Sequence, residues 1–64
     1  MMKNGKDNLS ERAYAAIKRM ILSGELKQGQ AISISAMAES LAISRTPVTN
    51  ACQKLEFERL LKIV

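Results

Sequence analysis

Histidine and tryptophan are absent from this 64-residue chain, and cysteine, proline, tyrosine and phenylalanine occur once each. The missing histidine bears most directly on function. With one thiol, at Cys52, and six scattered Asp and Glu carboxylates, no nucleophile–base pair and no metal cluster can be assembled, so an enzyme is not expected. A lone cysteine excludes an internal disulfide and fits a reducing compartment. Its place beside Ala51 on an apolar helical face reads as a buried structural thiol; a reactive one would need a charged neighbour. The three glycines stand far apart, which leaves neither a phosphate loop nor a dinucleotide fingerprint, and no cofactor is expected. No apolar run approaches the roughly 20 residues of a membrane-spanning helix. The opening "MMKNGKDNLS" also lacks the apolar segment of a secretory signal. A soluble, cytoplasmic protein with no membrane partner is the expectation.

What the chain does contain is aliphatic. Hydrophobic residues make up 47% of it, mostly Ala, Ile, Leu and Met, enough for one small core. A domain of this size buries only about 60% of its unfolded surface, so stability at or below roughly 5 kcal/mol is expected. The net charge of +4 permits an anionic partner, but the excess sits early, at Lys3, Lys6, Arg12, Lys18 and Arg19. Any case for nucleic acid must therefore rest on placement rather than on a general basic patch.

Three helical segments and two strand-like ones follow from the spacing. Residues 1–8 are polar and without period, and a disordered N-terminal tail is expected there. Ser10 is placed to cap the first helix, with Leu9 and Tyr14 as a hydrophobic staple. Ala13, Tyr14, Ile17, Met20 and Ile21 then recur at helical spacing, and Gly24 should end the element. "AISIS" alternates like a short strand. Ser33 reads as the cap of a second helix closing near Leu41, with Ile32 and Met37 as its staple. Ser44 is the expected cap of a third helix, about 45–57, whose first turn tolerates Pro47. Val48, Ala51, Cys52 and Leu55 form its inner stripe. The terminal "LLKIV" has the character of a strand.

Two short helices joined by a tight turn spell a helix-turn-helix. Its second helix enters the major groove by its N-terminal residues, and Arg45, Thr46, Thr49 and Asn50 are the side chains a groove would meet, with Gln53 also off the inner stripe. Arg binds guanine bidentately or clamps a phosphate, Asn pairs with adenine, and Thr offers a hydroxyl and a methyl. The alternative stays open on spacing alone: Ser-x-x-Pro starts ordinary helices, and Thr, Asn and Gln are common on solvated faces. On that view the chain is a small helical protein–protein interaction module.

At "ISRTPVTNA" the sequence resembles the GntR family of bacterial transcription regulators, whose signature runs close to S-R-T-P-V-R-E-A-L. "AYAAIKRMILSGELKQGQAIS" is similar to that family's first helix, turn and first strand, and "LEFERLLKIV" to its exit into the wing. The resemblance covers about residues 9–64. It implies a mainly α, three-helix winged helix-turn-helix with a short β-strand and an incomplete wing. Ser44, Arg45 and Thr46 match family positions that contact the DNA backbone and bases. Thr49 stands where the family has a base-reaching Arg, Ser35 matches a second-helix contact position, and Lys62, at the base of the wing, would meet a phosphate. The implied partners are double-stranded DNA carrying a pseudo-palindromic operator, a second copy in a full-length homodimer, and a small-molecule effector held by a C-terminal domain not present here. Several positions depart from the pattern. Thr49 and Asn50 replace an Arg-Glu pair, Gln28 a Pro, and Cys52 a Leu. Ala42 and Arg59 replace glycines; Ala42 is tolerable if its backbone is not strongly left-handed. The chain is expected to be a fragment of a longer repressor or activator, with Phe57 and the terminal apolar residues correspondingly exposed.

Overall fold

The structure is a computed structural model and describes residues 5–64. Its elements are α1 (Gly5–Leu22), β1 (Gln30–Ile32), α2 (Ile34–Leu41), α3 (Arg45–Phe57) and β2 (Leu61–Ile63). The architecture is mainly helical, a winged helix-turn-helix with a two-stranded sheet. Helix α1 packs chiefly along α3, α2 against α3, and the sheet against the end of α3.

Helix α1 begins earlier than the cap signals suggested. It runs from Gly5 and passes through Ser10, so Ser10 caps nothing and Leu9 and Tyr14 share one helix rather than stapling its entry. Of the tail expected over 1–8, residues 5–8 belong to α1 and residues 1–4 lie outside the described residues. Once a helical nucleus exists, each further residue adds one hydrogen bond, and propagation needs no apolar period of the kind that first appears at Leu9. The inner face is as read: Ala13 and Ile17, one turn apart, are fully buried, with Tyr14, Met20 and Ile21 packed around them.

Each helix closes on a left-handed residue, and only the first is a glycine. Gly24, with φ of 90°, ends the turn after α1, where the Leu26 N–H reaches back to the Met20 carbonyl at 3.0 Å. After α2, the Ile43 N–H donates to Ala38 and the Ala42 N–H to Glu39, at 3.1 and 3.2 Å. After α3, Leu60 donates to Leu55 and Arg59 to Glu56, both at 2.9 Å. These are paired Schellman closures, which require φ above zero at the penultimate donor. Ala42 and Arg59 supply it at 57° and 65°. Ala42 is thus left-handed after all, in the conformation for which a glycine would be the unstrained choice.

The helix starts differ from each other. Ser33 caps α2, its Oγ accepting from the Ala36 N–H at 3.3 Å. That cap overrides the alternation of "AISIS": β1 stops at Ile32, and Ile34 and Ser35 are already helical. Ser44 occupies the N-cap position of α3 with extended backbone, yet makes no side-chain capping bond. The two strands pair in parallel, Gln30 opposite Leu61 and Ile32 opposite Ile63, so the first strand lies directly on β2.

Among the described residues, ten form the core: Ala13, Ile17, Ile32, Met37, Ala38, Val48, Ala51, Cys52, Leu55 and Leu61. The stripe read from α3 is buried throughout, and Pro47 is buried with it. Full burial of side chains such as Ile17 and Leu55 stabilises the fold by about 1.5–3 kcal/mol each. Leu41 and Ile43 bracket the α2–α3 turn and pack on this core, half-buried. The Cys52 thiol lies within it. Burial first, and the nearby Glu56 carboxylate second, push its pKa up, so it stays protonated and unreactive at neutral pH.

Candidate nucleic-acid interface

The buried residues of α3 occupy one side of the helix, which forces Thr46, Thr49, Gln53 and Phe57 onto the other. At about 100° per residue, Thr46, Gln53 and Phe57 fall almost in line. Thr49 is half-buried and the others are exposed, Phe57 to 87%. Among the described residues, no side-chain hydrogen bond involves Ser44, Arg45, Thr46, Thr49, Asn50 or Gln53. A row of polar side chains without internal partners is a surface whose hydrogen bonds are available to something else.

The start of α3 concentrates that availability. Its first N–H groups have no intrahelical acceptors, the Ser44 hydroxyl does not serve them, and no acidic residue stands in the first turn. The partial positive charge of the helix N-terminus is therefore left open for an anion. Ser35, near the start of α2, borders the same shallow groove as Ser44 and Arg45, together with Glu39, Ala42 and Ile43. Three of the expected contact residues are thus gathered on the α2 side of α3.

The remaining expected residues are distributed differently. Asn50 sits on the opposite flank, where it lines a groove with Ser10, Glu11, Tyr14, Ala51 and Lys54 between α1 and α3. Lys62 is exposed on β2 and borders a separate hollow with Glu56 and Arg59; it is not joined to the row on α3. The Ile63 N–H donates to Glu56 Oε2 at 3.1 Å, which ties that carboxylate to the sheet.

Sequence reasoning missed one group altogether. The Tyr14 hydroxyl donates to Glu58 Oε1 at 2.7 Å and accepts from Lys18 Nζ at 3.4 Å. Lys54 Nζ lies 4.9 Å from the Tyr14 ring centroid. The signal was Tyr14 as the chain's one tyrosine, half-buried where an aliphatic residue would suit a pure core position. Tyr14 and Glu58 stand 44 residues apart in sequence, a pairing that no local pattern specifies.

The chain also resembles known proteins. The model of bacterial regulatory proteins of the gntR family matches residues 9–64. An uncharacterized HTH-type transcriptional regulator, YdhC, of Bacillus subtilis (strain 168) is 39% identical over 49 residues, or 77% of this chain. The chain spans 22% of the length of that relative. No solved structure matches it. The match takes in all of α2, α3 and the sheet, including the "SRTPV" turn that opens the exposed row. The chain belongs to the gntR family of bacterial regulatory proteins, as a helix-turn-helix domain of the DNA-binding kind found in transcription regulators.

Proposed function

We propose that the domain binds double-stranded DNA sequence-specifically, with α3 in the major groove. The observation that carries this is the open N-terminus of α3, where Ser44 makes no cap and Arg45 and Thr46 are exposed and enter no side-chain hydrogen bond among the described residues. A helix enters the major groove by such a first turn. Thr46, Thr49 and Gln53 then face base edges, and each good base contact discriminates by about 1–3 kcal/mol. Arg45 and Ser44 take base or phosphate contacts, Ser35 a neighbouring phosphate, and Lys62 a phosphate beside the sheet. The regulator would act as a cytoplasmic homodimer on a pseudo-palindrome with half-sites about 34 Å apart, under control of a small-molecule effector bound outside this domain. A single domain should bind weakly, near about 10⁻⁴–10⁻⁶ M, and tethering two should recover affinity.

Titration of a labelled mixed-sequence duplex at several salt concentrations, beside Arg45→Ala, tests the proposal. The expected outcome is a steep salt dependence that the variant loses in part. The exposed Phe57, Leu22 and Val64 favour a second reading, a protein-contacting module. Absence of salt-dependent binding, in the single domain and in a tethered pair, would select it.

A further inference from the structure

A helix lying in the major groove has a sugar-phosphate wall on each side, and α3 has two different flanks to offer them. On the α2 side stand Ser35, Ser44 and Arg45. On the α1 side stand Asn50 and Lys54, with Ser10 and Tyr14 of α1 across the groove. Both Asn50 and Lys54 are exposed. Helices α1 and α3 advance in the same direction here, since Ser10 and Glu11 border Asn50 while Tyr14, one turn further along α1, meets Lys54, one turn further along α3, and Glu58 just past its end. The N-terminal ends of α1 and α3 therefore lie toward the same end of the molecule.

We infer that Lys54 and Asn50 form a second phosphate clamp on the α1 flank of α3, with Tyr14 as the residue that positions the Lys54 ammonium. This rests on the DNA-binding reading above. A lysine side chain carries large rotamer freedom, and holding it at one place raises its effect on a fixed anion. The Tyr14 ring does this. Its face holds the Lys54 ammonium at 4.9 Å from the centroid, a cation–π contact, and the ring is itself fixed by its hydroxyl's bond to Glu58. That bond also directs the Glu58 carboxylate to the tyrosine hydroxyl. The Lys54 ammonium enters none of the side-chain hydrogen bonds among the described residues, so its donors are available. Asn50, one turn before it, adds a neutral amide donor. Glu11 borders the groove as well, and its charge sets a limit on how much this flank contributes. The two flanks divide the labour: the outward row of Thr46, Thr49 and Gln53 is left to the bases, and Asn50, expected from the sequence to meet the groove as a candidate adenine partner, goes to the backbone.

The test is the salt dependence of duplex binding for Lys54→Gln, Lys54→Arg, Tyr14→Phe and Lys27→Gln, with Arg45→Ala alongside. Each phosphate neutralised contributes about −0.9 to the slope of log K against log salt. Lys54→Gln should make the slope shallower by close to that amount and weaken binding equally on unrelated duplexes. Lys54→Arg, which keeps the charge, should leave the slope intact. Tyr14→Phe, which removes the hydroxyl that fixes the ring and occupies Glu58, should make it shallower; an unchanged slope in Tyr14→Phe would overturn the positioning role of Tyr14. Lys27, exposed in the α1–β1 connection, controls for loss of one positive charge anywhere, and its variant should keep the slope. If Arg45→Ala lowers the slope and Lys54→Gln does not, the clamp is overturned while the DNA reading stands. If Lys27→Gln lowers it as much as Lys54→Gln, the effect is general charge and the clamp is again overturned. If no variant changes it, the DNA reading itself fails. Far-ultraviolet circular dichroism of each variant identifies any that is unfolded; if Lys54→Gln is, Lys54→Met, which also removes the charge, takes its place and must give the shallower slope for the clamp to stand.

Discussion

Two single residues carry strain that their neighbours impose. Ala42 and Arg59 have φ of 57° and 65° because the Schellman closures after α2 and α3 need a left-handed residue there, and because Ile43 and Leu60 must turn back onto the core. For a residue with a Cβ this costs about 1–2 kcal/mol. Glycine removes the strain but loosens the unfolded chain by about 0.4–1 kcal/mol. Ala42→Gly is therefore expected to stabilise the domain by about 0.5–1 kcal/mol. Urea denaturation checks it: the midpoint should rise at unchanged slope, and a fall would mean that this turn is not left-handed in solution. The strain was only half legible in the sequence. That a glycine usually stands at both positions flags them through the resemblance, but an alanine or arginine does not announce its own backbone angle. The closing hydrogen bonds and the apolar residue after each turn decide it.

At the scale of elements, the two helices of the helix-turn-helix start with the same residue type put to different uses. Ser33 caps α2 through the Ala36 N–H, whereas Ser44 stands at the head of α3 without capping. Ser33→Ala should cost about 1 kcal/mol of stability, the usual loss for a cap. Ser44→Ala should cost much less and weaken duplex binding instead. Thermal melts and titrations of both variants give the comparison, and equal loss of stability in the two would contradict it. Helix α2 was readable because its cap and staple agreed with one another, and α3 because the N-cap position of Ser44, the first-turn Pro47 and the inner stripe agreed, down to the limits Arg45–Phe57. The start of α1 was not, since nothing before Leu9 carries an apolar period. Nor could the sequence say which flank of α3 Asn50 would occupy. At about 100° per residue it falls on the exposed side of α3, about 40° from Thr46, and only the position of α1 assigns it to a flank.

The whole molecule is a thin core wrapped by long polar faces. Its extents are 36 × 20 × 19 Å, and ten of the described residues, several of them alanines or other small side chains, fill the interior. Among the described residues no buried polar side-chain atom lacks a partner, so stability depends on apolar burial and on the helix ends rather than on internal polar networks. Openings of so small a structure should be frequent, and their frequency should respond to any ligand that favours the closed form. The fully buried Cys52, the chain's one cysteine, makes that response measurable. A thiol-alkylating reagent can reach it only while the domain is open, so the labelling rate is a clock for opening that needs no added probe. A duplex that binds only the folded form slows this clock by the factor 1 + [DNA]/Kd, about tenfold when free duplex is nine times Kd. A rate indifferent to duplex, at concentrations where titration reports saturation, would mean that DNA grips the opened chain as tightly as the folded one.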